Sequence, residues 1–238
     1  MFNLNEGLLS YLMPEGVGGF VLFASMLAVL LTAYLLGSIN SAILFSKLIY
    51  KDDIRNHGSG NGGMTNMLRT FGGKAALLTL AGDLLKTAIS IFIAGLVFGF
   101  WYSGGVSTRD MCYVAGLFAV LGHIFPLYYK FKGGKGVLVT STMALILTPV
   151  PFLILFAIFA AIVAISGYVS LGSVSVAVLY PVLLHGTFAF IFEMPMPGLI
   201  ALSTIALACI IVWCHRENLK RISERTENKL SFKKKKDD

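Results

Sequence analysis

The chain has 238 residues, 56% hydrophobic and 13% charged, and its 19 Lys and Arg against 12 Asp and Glu leave a formal net charge of +7. Mean hydropathy is +0.80. Soluble domains run to about 45–50% apolar and about 25% charged, so a soluble globular domain is excluded, as are disordered, collagen-like and coiled-coil chains. The composition describes a polytopic membrane protein. Cys112, Cys209 and Cys214 are odd in number and lack paired zinc-type spacing, so no disulfide framework or metal cluster is expected.

The opening segment, 1–17, carries Glu6 and Glu15 but no Lys or Arg. It lacks the basic start of a secretory signal and reads as a short extracytoplasmic leader. Apolar runs follow at 18–37, 74–101, 110–129, 136–150, 152–167, 173–192 and 198–214. About 20 helical residues cross a hydrocarbon core about 30 Å thick, so these runs predict an all-α bundle of about seven transmembrane helices over 18–214. Six is the nearest alternative. Pro149-Val150-Pro151 predicts a tight turn between two antiparallel spans, because proline cannot continue either helix.

Charge placement fixes the expected orientation. With seven crossings, Lys47, Lys51, Arg55, Arg69, Lys74, Lys130, Lys132, Lys135 and the basic tail fall on one side, and Arg109 alone on the other. Cytoplasmic loops collect Lys and Arg, which predicts an outside N-terminus and a cytoplasmic tail, 215–238. The net charge therefore reflects the bilayer and not a nucleic acid, and the Lys233–Lys236 run is expected against anionic lipid.

The outer loops are short and chemically poor, whereas the inner ones, 53–74, 130–136 and 168–175, are rich. In 53–74, Gly58, Gly60, Gly62 and Gly63 are interleaved with Ser59, Asn61, Thr65 and Asn66 and flanked by Arg55 and Arg69. Glycines bring backbone N–H groups close to a ligand, short polar side chains add hydrogen bonds, and Arg adds a fork, which describes a phosphate cradle. The plainer alternative is a flexible loop. Gly58-x-Gly60-x-x-Gly63 matches a dinucleotide fingerprint only formally, because no βαβ unit surrounds it.

FKGGKGV at 131–137 sets Gly133 and Gly134 beside Lys132 and Lys135 at a helix start, an expected anion site without the spacing of a nucleotide-hydrolysing loop. YVSLGSVS at 168–175 offers Ser170, Ser173 and Ser175 as helix caps or ligands. In HRENLKR at 215–221, His215 and Asn218 share a helix face, and a surface histidine is expected to titrate near neutrality. Asp83 and Lys86 are expected to pair within the bundle, and His123 to bond a carbonyl freed near Pro126; a structural role is expected for these and for His185. No nucleophile elbow or zinc signature is present. Such a chain would work by positioning two phosphate-bearing reactants and stabilising charge.

Taken together, GS at Gly37-Ser38, GSGN-x-G-x-TN-x-x-R at Gly58–Arg69, GH-x-x-P at Gly122–Pro126, FKGGKGV at Phe131–Val137, YVSL-x-S at Tyr168–Ser173 and HR-x-N-x-x-R at His215–Arg221 resemble the acyl-phosphate-dependent glycerol-3-phosphate acyltransferase family called PlsY. The resemblance runs from about Tyr34 to Lys229. It implies a multi-pass enzyme of the bacterial inner membrane, its active site facing the cytoplasm, that moves a fatty acyl group from acyl phosphate to the 1-hydroxyl of sn-glycerol 3-phosphate. The products would be lysophosphatidate and phosphate. By the same resemblance, Lys135, His215 and Asn218 are the expected catalytic residues. Ser59 and Arg69 would contact glycerol phosphate, Ser173 would join their pocket, and Gly58, Gly60, Gly133, Gly134, Asn61, Thr65 and Asn66 would shape the phosphate sites. No cofactor, metal, nucleic acid or obligate protein partner is implied. Two departures stand out: Arg225 occupies the glycine of the family's R-L-x-x-G-x-E tail, which leaves the local turn open, and about twenty extra residues precede the first span.

Overall fold

The computed structural model describes residues 7–13, 16–99 and 108–230. Among them are eleven α-helices and no strand: α1 Gly7–Leu12, α2 Gly19–Ser38, α3 Ser41–Ile49, α4 Met64–Phe71, α5 Gly73–Phe98, α6 Thr108–Ile124, α7 Val137–Leu147, α8 Pro149–Ser166, α9 Val169–Phe190, α10 Gly198–Cys214 and α11 Arg216–Ser223. Most of the segment after α5, which the charge distribution predicts to be outside, and the Lys233–Lys236 run lie outside the described residues.

Every apolar run is helical, but not every helix is long enough to cross a bilayer. α2, α5, α6 with the 3-10 turn after it, α8 and α9 qualify, and α10 with α11, bent by 52° at their junction, would make a sixth. α7 has 11 residues, about 16 Å of helix, roughly half a hydrocarbon core. The expected count of seven is therefore not met by helix length. α7 stops because Thr148 precedes a proline, which disfavours the helical region, and it sits outside that region at φ −145° and ψ 69°. The turn is that one residue; Pro149 and Pro151, expected within the turn, instead open α8, where proline lacks nothing the first helical turn needs.

α2 and α6 touch backbone to backbone. A Cβ on Gly37 would lie 2.2 Å from the Ala119 carbonyl oxygen, and one on Gly122 would lie 2.2 Å from that of Tyr34. Small residues at such crossings let helices approach where no water drives them together. α2 breaks at Ile39, and Asn40 restarts the chain as α3 by accepting from the Ile43 N–H at 3.0 Å. The break exposes the carbonyls of Gly37 and Ile39, and Lys86 from α5 donates to both, at 3.1 and 2.9 Å. Lys86 also pairs with Asp83 at 2.8 Å, as expected. His123, however, meets Lys86 through Nδ1 at 3.0 Å and not a carbonyl freed by Pro126.

The segment 53–74 is an ordered plate and not a flexible loop. Ile54 and Met67 are fully buried against Ala42, Ile43 and Ala75. Arg55 is spent on architecture, paired with Asp53 at 2.7 Å and donating to the carbonyls of Tyr129 and Lys132. The sequence had offered it to the cradle.

Candidate active site

The plate, the 130–136 loop, the start of α9 and α11 enclose one cavity of about 530 Å³. Its mouth is lined by Ser59, Asn61, Thr65, Asn66, Arg69, Lys135, Ser173, His215 and Asn218, nine of the thirteen expected site residues. Farther in, between α5, α7, α8 and α9, the walls are Leu84, Leu145, Phe152, Phe156, Phe159 and Ala177, and Tyr180 also lines it. First-turn residues of α4, α7 and α9 all line this cavity, so three positive helix ends are set around it.

Within the plate, Gly58 and Gly60 turn with φ of 55° and 71°. The space a Gly58 side chain would fill holds Asn66 Oδ1, only 2.2 Å from where a Cβ would be. That oxygen accepts from the Ser59 N–H at 3.1 Å, and Asn66 Nδ2 donates to the carbonyls of Ile54, His57 and Asn61 at 3.2, 2.9 and 3.0 Å. The Asn66 amide is thereby committed to holding the plate's shape. Asn61 Nδ2 lies 3.4 Å from the Ser59 hydroxyl.

The second glycine pair acts differently from the expectation. Gly133 and Gly134 do not line the cavity, and their N–H groups already donate to the carbonyls of Ile124 and His123, each at 3.1 Å. They are packing residues. A Cβ on Gly133 would lie 2.0 Å from the His123 carbonyl oxygen, and one on Gly134 would lie 2.1 Å from His123 Nε2. Their lack of side chains lets the loop press on the end of α6 and deliver Lys135 and the α7 N-terminus to the cavity.

Lys135 Nζ donates to Asn218 Oδ1. Asn218 Nδ2 donates to Ser170 Oγ at 2.9 Å and Glu227 Oε1 at 2.6 Å, the Ser170 hydroxyl donates to the same carboxylate oxygen at 2.8 Å, and Arg221 Nε donates to Glu227 Oε2 at 2.7 Å. Burial pushes the Lys135 ammonium down to about 8, against the pull of Glu227 and assisted by the positive charges of Arg221 and Arg69. Burial would raise Glu227, but hydrogen bonds from Asn218, Ser170 and Arg221 outweigh it and hold the carboxyl below its ordinary range.

His215 sits just past the apolar stretch of α10, with Nδ1 2.8 Å from the Ile211 carbonyl. At 4% exposed it is not the surface histidine that the expectation of titration near neutrality assumed. The 168–175 segment is also not a loop. α9 starts at Val169, Tyr168 is its uncapped first boundary, and Ser173 donates back to the Val169 carbonyl at 2.9 Å.

Sequence reading offered Ser170 only as a cap or ligand and quoted Arg221 only within its motif, giving it no role of its own, and it assigned no role to Glu227. Arg221 was legible, since residues 215, 218 and 221 recur on one helix face. Glu227 depends on the turn left open by Arg225, and the structure closes it. Arg225 adopts φ 58°, while Thr226 N–H donates to the Arg221 carbonyl at 2.8 Å and Arg225 N–H to that of Ile222 at 3.1 Å. This is the Schellman pairing that glycine usually serves.

The glycerol-3-phosphate acyltransferase family model matches residues 27–225. A glycerol-3-phosphate acyltransferase from Mycoplasmopsis agalactiae is 38% identical over 233 residues, covering 87% of this chain and 95% of the relative; one from Bacillus subtilis is 36% identical, covering 85% and 96%. The crystal structure of PlsY (YgiH), an integral membrane glycerol 3-phosphate acyltransferase, in its glycerol 3-phosphate form, aligns with a TM-score of 0.74 at 32% identity, covering 87% of this chain and 96% of that one. Its lysophosphatidic acid form aligns with a TM-score of 0.72 at 31% identity, with the same coverage. Apolar spans, a cationic cavity mouth and these relatives lead to one conclusion: the chain is an integral membrane protein that belongs to the glycerol-3-phosphate acyltransferase family.

Proposed function

We propose that this protein transfers a fatty acyl group from acyl phosphate to the 1-hydroxyl of sn-glycerol 3-phosphate, yielding 1-acyl-sn-glycerol 3-phosphate and phosphate, at the cytoplasmic face of the bacterial inner membrane. One observation carries the reading. A single cavity joins a mouth bearing Arg69, Lys135 and Arg221 to an apolar arm between membrane helices, the shape required by a donor with an anionic head and a fatty tail. The mouth also shares its end of the bundle with Lys130 and Lys132, as the positive-inside rule asks of a cytoplasmic face.

In this mechanism Arg69, Lys135, Arg221 and the first-turn N–H groups of α4, α7 and α9 offset the charge of two phosphates held together. The glycerol hydroxyl oxygen bonds to the acyl carbon, the C–O bond to phosphate breaks, and phosphate leaves with the electron pair. The hydroxyl proton passes to a phosphate oxygen. Phosphate monoesters have a second pKa of about 6, so a phosphate oxygen is a competent base at neutral pH, whereas His215 is buried with its Nδ1 engaged by the Ile211 carbonyl at 2.8 Å. Asn218 and His215 serve to fix Lys135 and the substrate phosphate.

The deciding experiment measures phosphate release from palmitoyl phosphate by the purified protein in lipid, with and without glycerol 3-phosphate, with acyl-CoA as a parallel donor. Release that requires glycerol 3-phosphate and forms lysophosphatidate, without turnover of acyl-CoA, is expected. No release from folded protein would overturn the reading and favour transport of a phosphorylated solute, to be tested by flux into vesicles.

A further inference from the structure

His123 has no part in the scheme above, yet its ring lines the cavity and is only 3% exposed. Its Nδ1 faces the Lys86 ammonium at 3.0 Å, and Lys86 is itself held by Asp83 at 2.8 Å and by the carbonyls of Gly37 and Ile39. An ammonium can only donate. Nδ1 must therefore be the ring's acceptor, and the proton of the neutral imidazole stands on Nε2. That Nε2–H has no protein partner among the described residues and lies beside Gly134, one residue from Lys135. Thr140, one turn into α7, also lines the cavity, and its buried hydroxyl has no hydrogen-bond partner among the described residues.

We infer that His123 Nε2–H, its tautomer set by Lys86, donates to the carbonyl oxygen of the acyl donor and stabilises the oxyanion that forms there. The inference rests on the acyl-phosphate reading. Location and charge select the carbonyl. The Asp83–Lys86 pair and the neutral imidazole sum to no net charge, which suits a carbonyl dipole and not a phosphate dianion, whose place is among Arg69, Lys135 and Arg221. His123 also stands where the polar mouth, at Lys135, gives way to the apolar arm, at Leu80 and Leu84 on the α5 turns around Asp83. The carbonyl is the one donor group between phosphate head and hydrocarbon tail.

As the hydroxyl oxygen bonds to the acyl carbon, the carbonyl π pair moves onto oxygen and is held by Nε2–H. On collapse that pair re-forms the carbonyl while the C–O bond to phosphate breaks, phosphate takes the bonding pair, and the hydroxyl proton goes to a phosphate oxygen. His123 keeps its proton throughout. A donor fixed before reaction costs no reorganisation during it.

The test compares wild type, His123→Leu and His123→Gln in palmitoyl phosphate turnover, and in inhibition by a long-chain acyl phosphonate, which keeps the carbonyl, and by hexadecyl phosphate, which lacks it. His123→Leu is expected to lower kcat about 100-fold, as loss of one oxyanion donor does, with KM for glycerol 3-phosphate unchanged. It should weaken inhibition by the phosphonate and leave hexadecyl phosphate unaffected. His123→Gln, which offers an amide N–H at a similar reach, should recover most of the loss. Folded His123→Leu with near wild-type kcat, or equal weakening of both inhibitors, would overturn the inference. If neither variant folds, the infrared carbonyl stretch of a 13C-labelled acyl phosphonate on wild type decides: a downshift supports the donor and an unshifted band overturns it. A wild type that does not turn over palmitoyl phosphate would instead overturn the acyl-phosphate reading on which this rests.

Discussion

Glu227 reaches back nine residues to Asn218, accepting from its Nδ2 at 2.6 Å, and so joins the tail to the side chain that holds Lys135. The same carboxylate takes Ser170 and Arg221. It is a clasp: the tail, α11 and the start of α9 all meet at one nearly buried group, whose side chain is 5% exposed. Replacing Glu227 with Ala leaves Asn218 and Ser170 without their buried acceptor, while Arg221, 39% exposed, regains water, so the cost is about 1–2 kcal/mol. Glu227→Ala is expected to lower the thermal midpoint in detergent and to reduce kcat/KM for glycerol 3-phosphate about tenfold or more, through Asn218. An unchanged midpoint would show that the clasp carries no stability.

Arg225 allows a test in the opposite direction. A non-glycine residue at left-handed φ costs about 1 kcal/mol relative to glycine, and Arg225 is exposed and has φ 58°. Arg225→Gly should stabilise the protein by about that amount and leave activity unchanged. A fall in the thermal midpoint would mean that the Arg225 side chain supplies something the turn geometry does not.

How far the sequence went differs from one group to the next. Apolar runs placed every membrane helix because lipid leaves the backbone no other option, and motif residues scattered over four segments do line one cavity. What escaped was the direction in which groups are spent. The N–H groups of Gly133 and Gly134 look like an anion nest in a string of letters, and only the approach of α6 commits them to carbonyls. Asn66 reads as a ligand until its four hydrogen bonds to the plate are seen. The convergence of three helix N-termini has no sequence signature, because it depends on how α4, α7 and α9 are placed around the cavity. His215 looked like a surface histidine because its burial, to 4% exposed, is a tertiary fact.

The pH profile follows from Lys135, whose pKa lies at about 8 in the free protein. Below that value the ammonium is charged and attracts phosphate; above it the side chain is neutral and the attraction is lost. kcat/KM for glycerol 3-phosphate should therefore fall as pH rises through about 8, tenfold per unit where this group alone limits. Lys135→Arg, whose guanidinium stays charged, should move that limb up by more than one unit even if its plateau is lower. A profile flat to pH 9.5 in wild type would remove Lys135 from the role.

Arg69 and Lys135 should also separate by amplitude. Among the described residues Arg69 makes one long hydrogen bond, 3.5 Å to the Asn228 carbonyl, so its fork is available to a ligand, and Arg69→Ala should raise KM for glycerol 3-phosphate about tenfold or more with modest loss of stability. Lys135→Ala should lower kcat as well, because in the proposed mechanism Lys135, at the α7 N-terminus, offsets the charge of both phosphates. If either variant, well inserted, keeps its rate within about twofold, that residue is not part of the site.

The apolar arm can be tested without touching the mouth. Ala177 lines it two helical turns along α9 from Ser170, about 10 Å deeper at 1.5 Å per residue. A phenylalanine there would occupy the space that the middle of a long chain requires, while a short chain would end before it. Ala177→Phe should lower kcat/KM for palmitoyl phosphate at least about tenfold more than for octanoyl phosphate, since each buried methylene displaced forfeits about 0.8 kcal/mol. KM for glycerol 3-phosphate should stay the same, because the substitution is remote from Arg69 and Lys135. Equal losses on both donors would mean that the acyl chain leaves the mouth by another path, sideways into the bilayer between helices, and that the arm beside Ala177 is not where the chain lies.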